Sequence, residues 1–327
     1  MSQTRVQRDC IDGLLLLDKP SGMTSNDALI RARRLFNARK AGHGGTLDPM
    51  ASGLLPVAFG EATKFVGDAL GADKTYLAEV TFGIVTETGD AEGAVVTQRP
   101  VAVTRERLAG IASGFVGEIL QVPPMYSALK RDGKPLYEYA RAGLNVERAP
   151  RKVTIHTIEL LEADAVEGRE AGSPGSFRAV LRVACSKGTY IRTLAEDLGE
   201  ALGCGAHLSG LRRERVGSAG LQSAVSLAAL ESMDPAARMS CLLPLDLLLG
   251  DLPRIALDDD FARRFLHGQR LRLAPHGDSV RHPSGAQRRV RVYGGRALLG
   301  VATLDDGLLV PQRLVGAGAE PSRNGQA

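Results

Sequence analysis

The length, composition and charge of the chain restrict its possible class. At 327 residues it is longer than a comfortable single core and predicts two domains of unequal size. Hydrophobic residues make up 44% and charged residues 24%, the ordinary balance of a soluble globular protein. The net charge of +4 is compatible with a polyanionic partner but does not identify one.

The cysteines and the polar N-terminus exclude several further classes. Cys10, Cys185, Cys204 and Cys241 are too scattered for a disulfide framework or for the short spacing of a zinc site, so we expect no metal. No apolar run approaches the ~20 residues that span a bilayer, and residues 1–12 lack the apolar core of a signal peptide. We therefore predict a cytoplasmic protein without a membrane segment.

The first third of the chain is predicted to alternate strands and helices. An apolar run at 14–17 indicates a strand that ends in a turn, and Ser25 is placed to cap the helix that follows. The further predicted elements are a buried strand at 53–60, a helix at 61–70, an alternating strand at 75–84 and a helix at 108–119.

Residues 121–152 differ in texture from the segments around them. Pro123 and Pro124 break any regular element, and the basic groups that follow are interleaved with tyrosines. That pattern suits neutralisation of a nucleic-acid backbone together with base stacking. A helix over 135–142 with one face in the core is the alternative, and both can hold because a helix has two faces.

The remainder is predicted to finish one domain and add a smaller one. A connection rich in Gly, Ser, Pro and Glu at 163–176 is typical of a tolerated surface insertion, and the composition changes near 249–253. The predicted elements are strands at 155–161 and 177–185, a helix at 193–202 that ends at Gly203, a helix at 261–267, strands at 288–292, 297–303 and 307–314, and a disordered tail at 316–327.

A glycine-rich loop at 42–56 presents a single carboxylate. Asp48 precedes Pro49, which disfavours the α region for the aspartate and pushes it toward an extended conformation. Loops held by a scaffold often carry catalytic groups. An aspartate in such a loop is more often an Asx-turn residue that bonds its own backbone. Spacing alone does not decide between the two interpretations.

Six blocks in register resemble the TruB-type tRNA pseudouridine synthases. The catalytic-loop motif is GHGGTLDP at 42–49 followed by ASGLLP at 51–56, and the matches extend from about residue 11 to residue 215. The other five blocks are GLLLLDKPSGMTS at 13–25, GEATK at 60–64, KTY at 74–76, QVPPMYSALK at 121–130 and CSKGTYIRTL at 185–194.

The resemblance implies an α+β fold and an RNA-modifying activity. The implied catalytic domain, 1–250, has a mixed, mainly antiparallel sheet with flanking helices and an RNA-clamping insertion at about 121–152. Residues 251–315 resemble a small PUA-like β pseudo-barrel. The implied activity is isomerisation of uridine 55 in the T-loop of tRNA to pseudouridine by base flipping. The implied partner is the tRNA T-arm, and neither a metal nor a small-molecule cofactor is needed. Nothing in the sequence suggests more than a monomer.

The resemblance also assigns roles to individual residues. Asp48 would be the catalytic carboxylate, Arg192 its ion partner, and Tyr76 the ring that stacks on the flipped uracil and assists proton transfer. Without the family, Arg192 would be taken for a surface residue and Tyr76 for a core residue of its strand. The residues assigned to substrate or RNA binding are His43, Tyr190, Leu211, Lys19, Lys130 and Arg151, of which Lys19 is expected to buttress the site rather than react.

Two other functions fit parts of the sequence. One is a non-catalytic tRNA-binding or tRNA-folding protein of the same architecture, and the other is a metal-free glycosidase that acts on small nucleosides. One departure from the family pattern is Gly44, where the family often has threonine, and we expect its effect to be slight.

Overall fold

The computed structural model describes residues 7–166, 175–273 and 287–316. Up to residue 141 the elements are β1 (Gly13–Lys19), α1 (Ser25–Leu35), β2 (Ala41–His43), β3 (Ser52–Phe59), α2 (Val66–Gly71), β4 (Lys74–Phe82), β5 (Ile84–Thr86), β6 (Val95–Gln98), α3 (Arg105–Ser113), β7 (Gly117–Gln121), β8 (Lys130–Arg131), β9 (Lys134–Pro135) and α4 (Leu136–Arg141). The later elements are β10 (Arg151–Val166), β11 (Ser176–Cys185), α5 (Ile191–Leu202), β12 (Ala206–Val216), β13 (Ala219–Gly220), β14 (Val225–Ser226), α6 (Leu227–Ser232), α7 (Pro235–Ser240), β15 (Arg254–Leu257), α8 (Asp259–Leu266), β16 (Leu271–Arg272), β17 (Arg288–Gly294), β18 (Ala297–Asp305) and β19 (Leu308–Leu314).

A ten-stranded sheet forms the centre of the larger part of the chain. Its strand order is β14-β1-β3-β12-β4-β11-β10-β7, with β13 paired to β12 and β2 paired to β3. The β1–β14 and β3–β12 pairs are parallel and the other pairs are antiparallel. The predicted α+β class with a mixed, mainly antiparallel sheet is therefore confirmed. The late strand β12 lies between the early strands β3 and β4, so that a single strand connects the loop that precedes β3 with β4.

The sequence of each central strand explains its burial. The four consecutive leucines of β1 are all buried because both faces of that strand are covered, so Leu14 and Leu16 pack in one apolar cluster and Leu15 and Leu17 in another. In β4, by contrast, the residues at 76, 78, 80 and 82 face a single cluster beneath α5 and α3. As predicted, α5 ends at Gly203, which adopts φ +82°.

The C-terminal residues form a separate five-stranded sheet in the order β15-β17-β18-β19-β16. Together with α8 it has its own core, which includes Phe265, Val292 and Leu309. This arrangement fits the predicted PUA-like domain. The sheet contacts the larger one through an apolar cluster that contains Phe65 and Val301.

Three local predictions differ from the structure. Thr24, not Ser25, caps α1, because its hydroxyl accepts a hydrogen bond from the Asp27 N–H at 3.0 Å. The predicted helix at 61–70 is a 3₁₀ turn over Gly60–Phe65 that continues into α2. The predicted helix at 108–119 is wrong in its second half, because α3 ends at Ser113, with Gly114 as its C-cap, and Gly117 begins β7.

The segment around 121–176 also differs in extent from the prediction. Helix α4 matches the predicted helix at 135–142 and buries Leu136. Strand β10 continues to residue 166, so the first residues of the predicted 163–176 connection are strand. Residues 167–174 of that connection and residues 317–327 of the predicted tail lie outside the described residues. None of the described helices is both long and apolar enough to cross a membrane.

Candidate active site

The Asp48 loop is fixed at several points along its length. The Gly44 N–H donates to the Pro56 carbonyl at 2.8 Å, and the Ala51 N–H donates to the Asp48 carbonyl at 3.1 Å. Between them, the Ser25 hydroxyl accepts from the Leu47 N–H at 2.8 Å and donates to the Leu47 carbonyl at 3.1 Å. Because Ser25 makes both bonds while buried, it holds the loop instead of capping α1.

Lys19 also helps to hold the Asp48 loop in place. Its side chain is fully buried, and its ammonium donates to the carbonyls of Pro20 at 2.9 Å and Met23 at 2.7 Å. It also lies 3.5 Å from the Pro49 carbonyl. Burial lowers the pKa of Lys19 to about 8, and the charge of Asp48 opposes that shift. This placement supports the buttressing role expected for Lys19 and leaves its ammonium inside the protein.

Asp48 pairs with Arg192 at the first turn of α5. The Arg192 Nη2 lies 3.0 Å from the Asp48 Oδ2, and its Nη1 lies 3.4 Å from the Asp90 Oδ2. The same guanidinium donates to the carbonyls of Thr88 at 3.0 Å and Tyr126 at 2.6 Å. One arginine therefore joins four segments of the chain.

The two carboxylates that pair with Arg192 differ in their exposure to solvent. The side chain of Asp48 is 37% exposed, whereas those of Arg192 and Asp90 are 5% exposed. Asp48 thus presents part of its carboxylate to solvent while the rest of the network is buried. Its pairing with Arg192, rather than with its own backbone, favours the reactive interpretation over a simple Asx turn.

The surroundings of Asp48 change its proton affinity. Burial raises the pKa of Asp48, Arg192 opposes this shift, and the nearby charge of Asp90 adds to it. A carboxylate with a raised pKa is a stronger base than an ordinary aspartate. Groups with perturbed pKa values in a cleft are candidates for function.

The Asp48 carboxylate opens into a cleft of about 470 Å³. The walls come from the 46–49 loop, the start of α1, the turn that carries Asp90, and Tyr126 with its neighbours. His43 also lines the cleft, and Tyr137 and Arg141 of α4 form the side contributed by the predicted insertion. The cleft therefore lies between the scaffold and the segment expected to clamp RNA.

His43 is placed to stay neutral. Burial and then the charge of Arg213 lower the pKa of its imidazole. Its Nδ1 is buried and finds no hydrogen-bond partner among the described residues.

The other predicted base-contacting residues, Tyr76, Tyr190 and Leu211, are not part of the cleft lining. Tyr76 is on β4, between Val183 of β11 and Arg213 of β12, and packs against the same apolar cluster as Leu211. Burial raises the pKa of Tyr76, and Arg213 next to its hydroxyl opposes that shift. Tyr190 directly precedes α5, and its N–H donates to the Gln121 Oε1 at 3.0 Å. The negative charge of Asp48 contributes to raising the pKa of both tyrosines.

The two remaining predicted RNA contacts lie away from Asp48. Lys130 on β8 and Arg151 at the start of β10 are both exposed, and neither lines the cleft. Their positions leave them available to solvent, as a phosphate-binding role requires.

Sequence reasoning missed three residues that hold this site. Asp90 ends the stretch TETGD at 86–90, whose composition is typical of a turn. Ser25 is the predicted helix cap, and Arg213 lies in the run RRER at 212–215, which has no distinct pattern. The only signal for Asp90 is its position after two threonines, whose hydroxyls later bond to it. Nothing in the sequence distinguishes Arg213 from Arg212.

Gly44 is enclosed by α2, which makes the site sensitive to added volume. A Cβ at this glycine would lie 2.5 Å from the Ala69 Cβ. We expect Gly44→Ala to lower the free energy of unfolding by about 1–3 kcal/mol because α2 must shift. Adding Ala69→Gly should recover part of this loss. Chemical denaturation of the single and double variants measures both effects.

Gly67 lies on α2, the helix that Gly44 packs against, and provides a matched control. A Cβ at Gly67 would meet no atom within 4 Å, so Gly67→Ala is expected to be neutral or stabilising. Equal denaturation midpoints for Gly44→Ala and Gly67→Ala would contradict the packing argument.

Comparisons with known proteins identify the family of the chain. A family profile described as TruB family pseudouridylate synthase (N terminal domain) matches residues 33–191. Profiles described as tRNA pseudouridylate synthase B C-terminal domain and Pseudouridine synthase II TruB, C-terminal match residues 192–250 and 253–315.

Relatives named tRNA pseudouridine synthase B match nearly the whole chain. The protein of Ralstonia nicotianae is 58% identical over 318 residues, which cover 96% of this chain and 97% of that protein. The protein of Burkholderia lata is 57% identical over 311 residues, which cover 95% and 92%.

Two solved structures share the fold. A Cbf5-Nop10-Gar1 complex contains a chain with a TM-score of 0.70 and 25% identity, and the match covers 93% of this chain and 85% of that one. An archaeal box H/ACA sRNP Nop10-Cbf5 complex gives a TM-score of 0.68 and 25% identity, with coverage of 95% and 87%. With these matches along its length, the chain belongs to the TruB family of pseudouridylate synthases.

Proposed function

We propose that the protein isomerises uridine 55 in the T-loop of tRNA to pseudouridine, with Asp48 as the reactive carboxylate. The observation that carries the proposal is the Asp48–Arg192 pair, in which the carboxylate faces a cleft while its partner is buried. The relatives with 58% and 57% identity are named for tRNA, which supports tRNA as the substrate class.

The chemistry needs one well-placed carboxylate. The C1′–N1 bond of uridine breaks, the uracil rotates and a C1′–C5 bond forms. The C5 proton leaves to water, and N1 takes up a proton in its place. Substrate and product are isomers, so no oxidant or reductant enters the balance. A carboxylate can assist glycosidic cleavage as a nucleophile, as it does in retaining glycosidases. Arg192 holds Asp48 in place and favours its ionised form.

The target base must leave the folded T-loop to reach Asp48. Extrusion of a base costs about a few kcal/mol of unstacking. We assign Tyr76 to stacking on the displaced uracil, because its ring lies next to Arg213 and within the electrostatic reach of Asp48. Tyr190 and Leu211 are assigned to contacts with the base, and His43 to the RNA loop from which it comes.

Contacts outside the cleft would offset the cost of extrusion. Lys130 and Arg151 are exposed and are proposed to neutralise phosphates of the T-arm. Residues 121–152 are proposed to clamp the RNA, since Tyr137 and Arg141 already form one side of the cleft. We retain the division into a catalytic domain at 1–250 and a PUA-like RNA-binding domain at 251–315. We propose that the protein acts as a monomer in the cytoplasm.

Tritium release from tRNA tests the proposal. An unmodified tRNA transcript labelled with tritium at uracil C5 is incubated with the protein, and tritium in the water is counted. We expect release of the label from one uridine per tRNA, and none from that position when it carries cytidine. No release from the wild-type protein would contradict the proposal, and binding without release would instead favour the tRNA-folding function. Release from free uridine would point to a nucleoside glycosidase.

A further inference from the structure

Arg213 occupies the centre of the sheet directly behind the Asp48 loop. It is only 1% exposed, and its guanidinium bonds to the backbone on both sides of Asp48. The Nη2 donates to the Gly45 carbonyl at 3.0 Å, and the Nε donates to the Leu54 carbonyl at 2.8 Å. One side chain therefore fixes the two ends of the loop that carries the carboxylate.

The strand register places the same residue against Tyr76. Arg213 of β12 is opposite Tyr76 of β4 on one side and Gly53 of β3 on the other. Burial raises the pKa of the Tyr76 phenol, and the nearby positive charge of Arg213 opposes that shift. The carboxylate loop and the tyrosine thus share one rigid neighbour.

Two glycines leave room for this arrangement. Gly53 adopts φ +103°, and a Cβ there would lie 2.4 Å from the Arg213 carbonyl oxygen. Gly45 adopts φ +119°, and a Cβ there would lie 3.4 Å from the Arg213 Nη1. Gly53 is therefore required by the close approach of the β12 backbone, and Gly45 by its own positive φ, so that the loop lies directly against Arg213.

The charge of Arg213 is unusual for a residue that only packs. No ion pair between described residues includes it, although it is almost fully buried. Its positive charge lowers the pKa of Lys19 and of His43 as well as that of Tyr76. A buried charge contributes little to stability compared with an apolar side chain of similar size, so packing alone does not account for an arginine here.

We propose that Arg213 is a positioning residue for the isomerisation, which sets the distance between the Asp48 carboxylate and the Tyr76 ring. It touches neither the cleft nor a bound base, and it acts through Gly45 and Tyr76. This inference rests on the proposed function of the site. Arg213 belongs to none of the six family motifs and does not line the cleft.

Single-turnover kinetics with Arg213→Lys tests the inference, with Arg212→Lys as the matched control. Lysine keeps the charge but lacks the planar fork that bonds the Gly45 and Leu54 carbonyls at the same time. Arg212 immediately precedes Arg213 on the same strand, but its side chain forms an ion pair with Asp18, at 2.7 Å. With enzyme in excess over C5-tritiated tRNA, Arg213→Lys should slow release by about tenfold or more, since small misplacements of reacting groups have large effects. Arg212→Lys should stay within about twofold, and tRNA affinity should be unchanged in both variants.

The same measurement in a Tyr76→Phe background separates positioning from general damage. If Arg213 acts partly through the tyrosine hydroxyl, Arg213→Lys should slow the Tyr76→Phe protein by a smaller factor than the wild type. Arg213→Gln, which is uncharged but still a donor, is the second variant. Equal rates for Arg213→Lys and Arg212→Lys would overturn the inference, as would identical factors in both backgrounds. Failure of both Arg213 variants to fold would also overturn it, because Arg213 would then serve the fold alone. A wild-type protein that releases no tritium would contradict the proposed function instead.

Discussion

Asp48→Asn is expected to abolish release of tritium from C5-labelled tRNA, with a loss of about 10³-fold or more in the single-turnover rate. The amide has nearly the shape of the carboxylate and still offers an oxygen to Arg192, but it is neither a nucleophile nor a base. Binding of tRNA should not fall, because the change removes a negative charge from a site that receives a polyanion.

The stability of the Asp48→Asn protein should not fall together with its activity. Burial raises the pKa of Asp48, so the folded protein disfavours the ionised form relative to the unfolded chain. A neutral amide removes that penalty, and the denaturation midpoint should be unchanged or higher. Asp73→Asn is the control, since Asp73 is 62% exposed and, among the described residues, forms an ion pair with His156 alone. Full activity in Asp48→Asn, or equal losses in the two variants, would contradict the assigned role.

Arg192→Met is expected to lower both stability and activity. Removing this guanidinium leaves Asp90 as a buried carboxylate without its cation, and leaves the Thr88 and Tyr126 carbonyls without a donor. Breaking a buried ion pair by removing one partner costs about 3–5 kcal/mol. Asp48 also loses the group that orients it, so we expect the single-turnover rate to fall by about 10²-fold or more. Urea denaturation and tritium release measure the two effects.

Arg182→Met is the matched control for this prediction. Arg182 also pairs with two carboxylates, those of Glu159 at 3.1 Å and Glu214 at 3.0 Å, but its side chain is 42% exposed. Exposed pairs contribute about 0–1 kcal/mol, so this variant should be close to wild type. Adding Asp90→Asn to Arg192→Met should restore part of the stability but not the activity. If the two arginine variants had equal midpoints, burial of the Arg192 network would not matter as argued.

Much of the fold follows from periodicity in the sequence. The leucines of β1, the alternation in β4 and the glycine that ends α5 predict elements that the structure confirms. The errors occur where a local signal competes with a distant partner. Ser25 has the side chain of a helix cap, but its hydroxyl bonds Leu47, which is remote in sequence. No local pattern distinguishes these two uses of a serine.

The candidate site divides in the same way. The family motifs led to Asp48 and Arg192, and the structure places their side chains 3.0 Å apart, as that resemblance implies. Asp90 and Arg213, which hold them, were not predicted. An acidic residue in a turn and one arginine among several have common structural explanations, and only the strand register and burial reveal their partners. The roles of Tyr76, Tyr190 and Leu211, which are not part of the cleft lining, stay predictions.

The position of β12 determines when a growing chain can acquire its site. This strand is made after β3 and β4, yet it separates them in the finished sheet. As long as β12 is still inside the ribosome, a nascent chain lacks the strand that connects the Asp48 loop to Tyr76. This holds even if its earlier hairpins have already formed. Long-range pairings of this kind close slowly during folding. Catalytic competence should thus emerge late and in a single step, as the last central strand inserts between partners that were synthesised long before it.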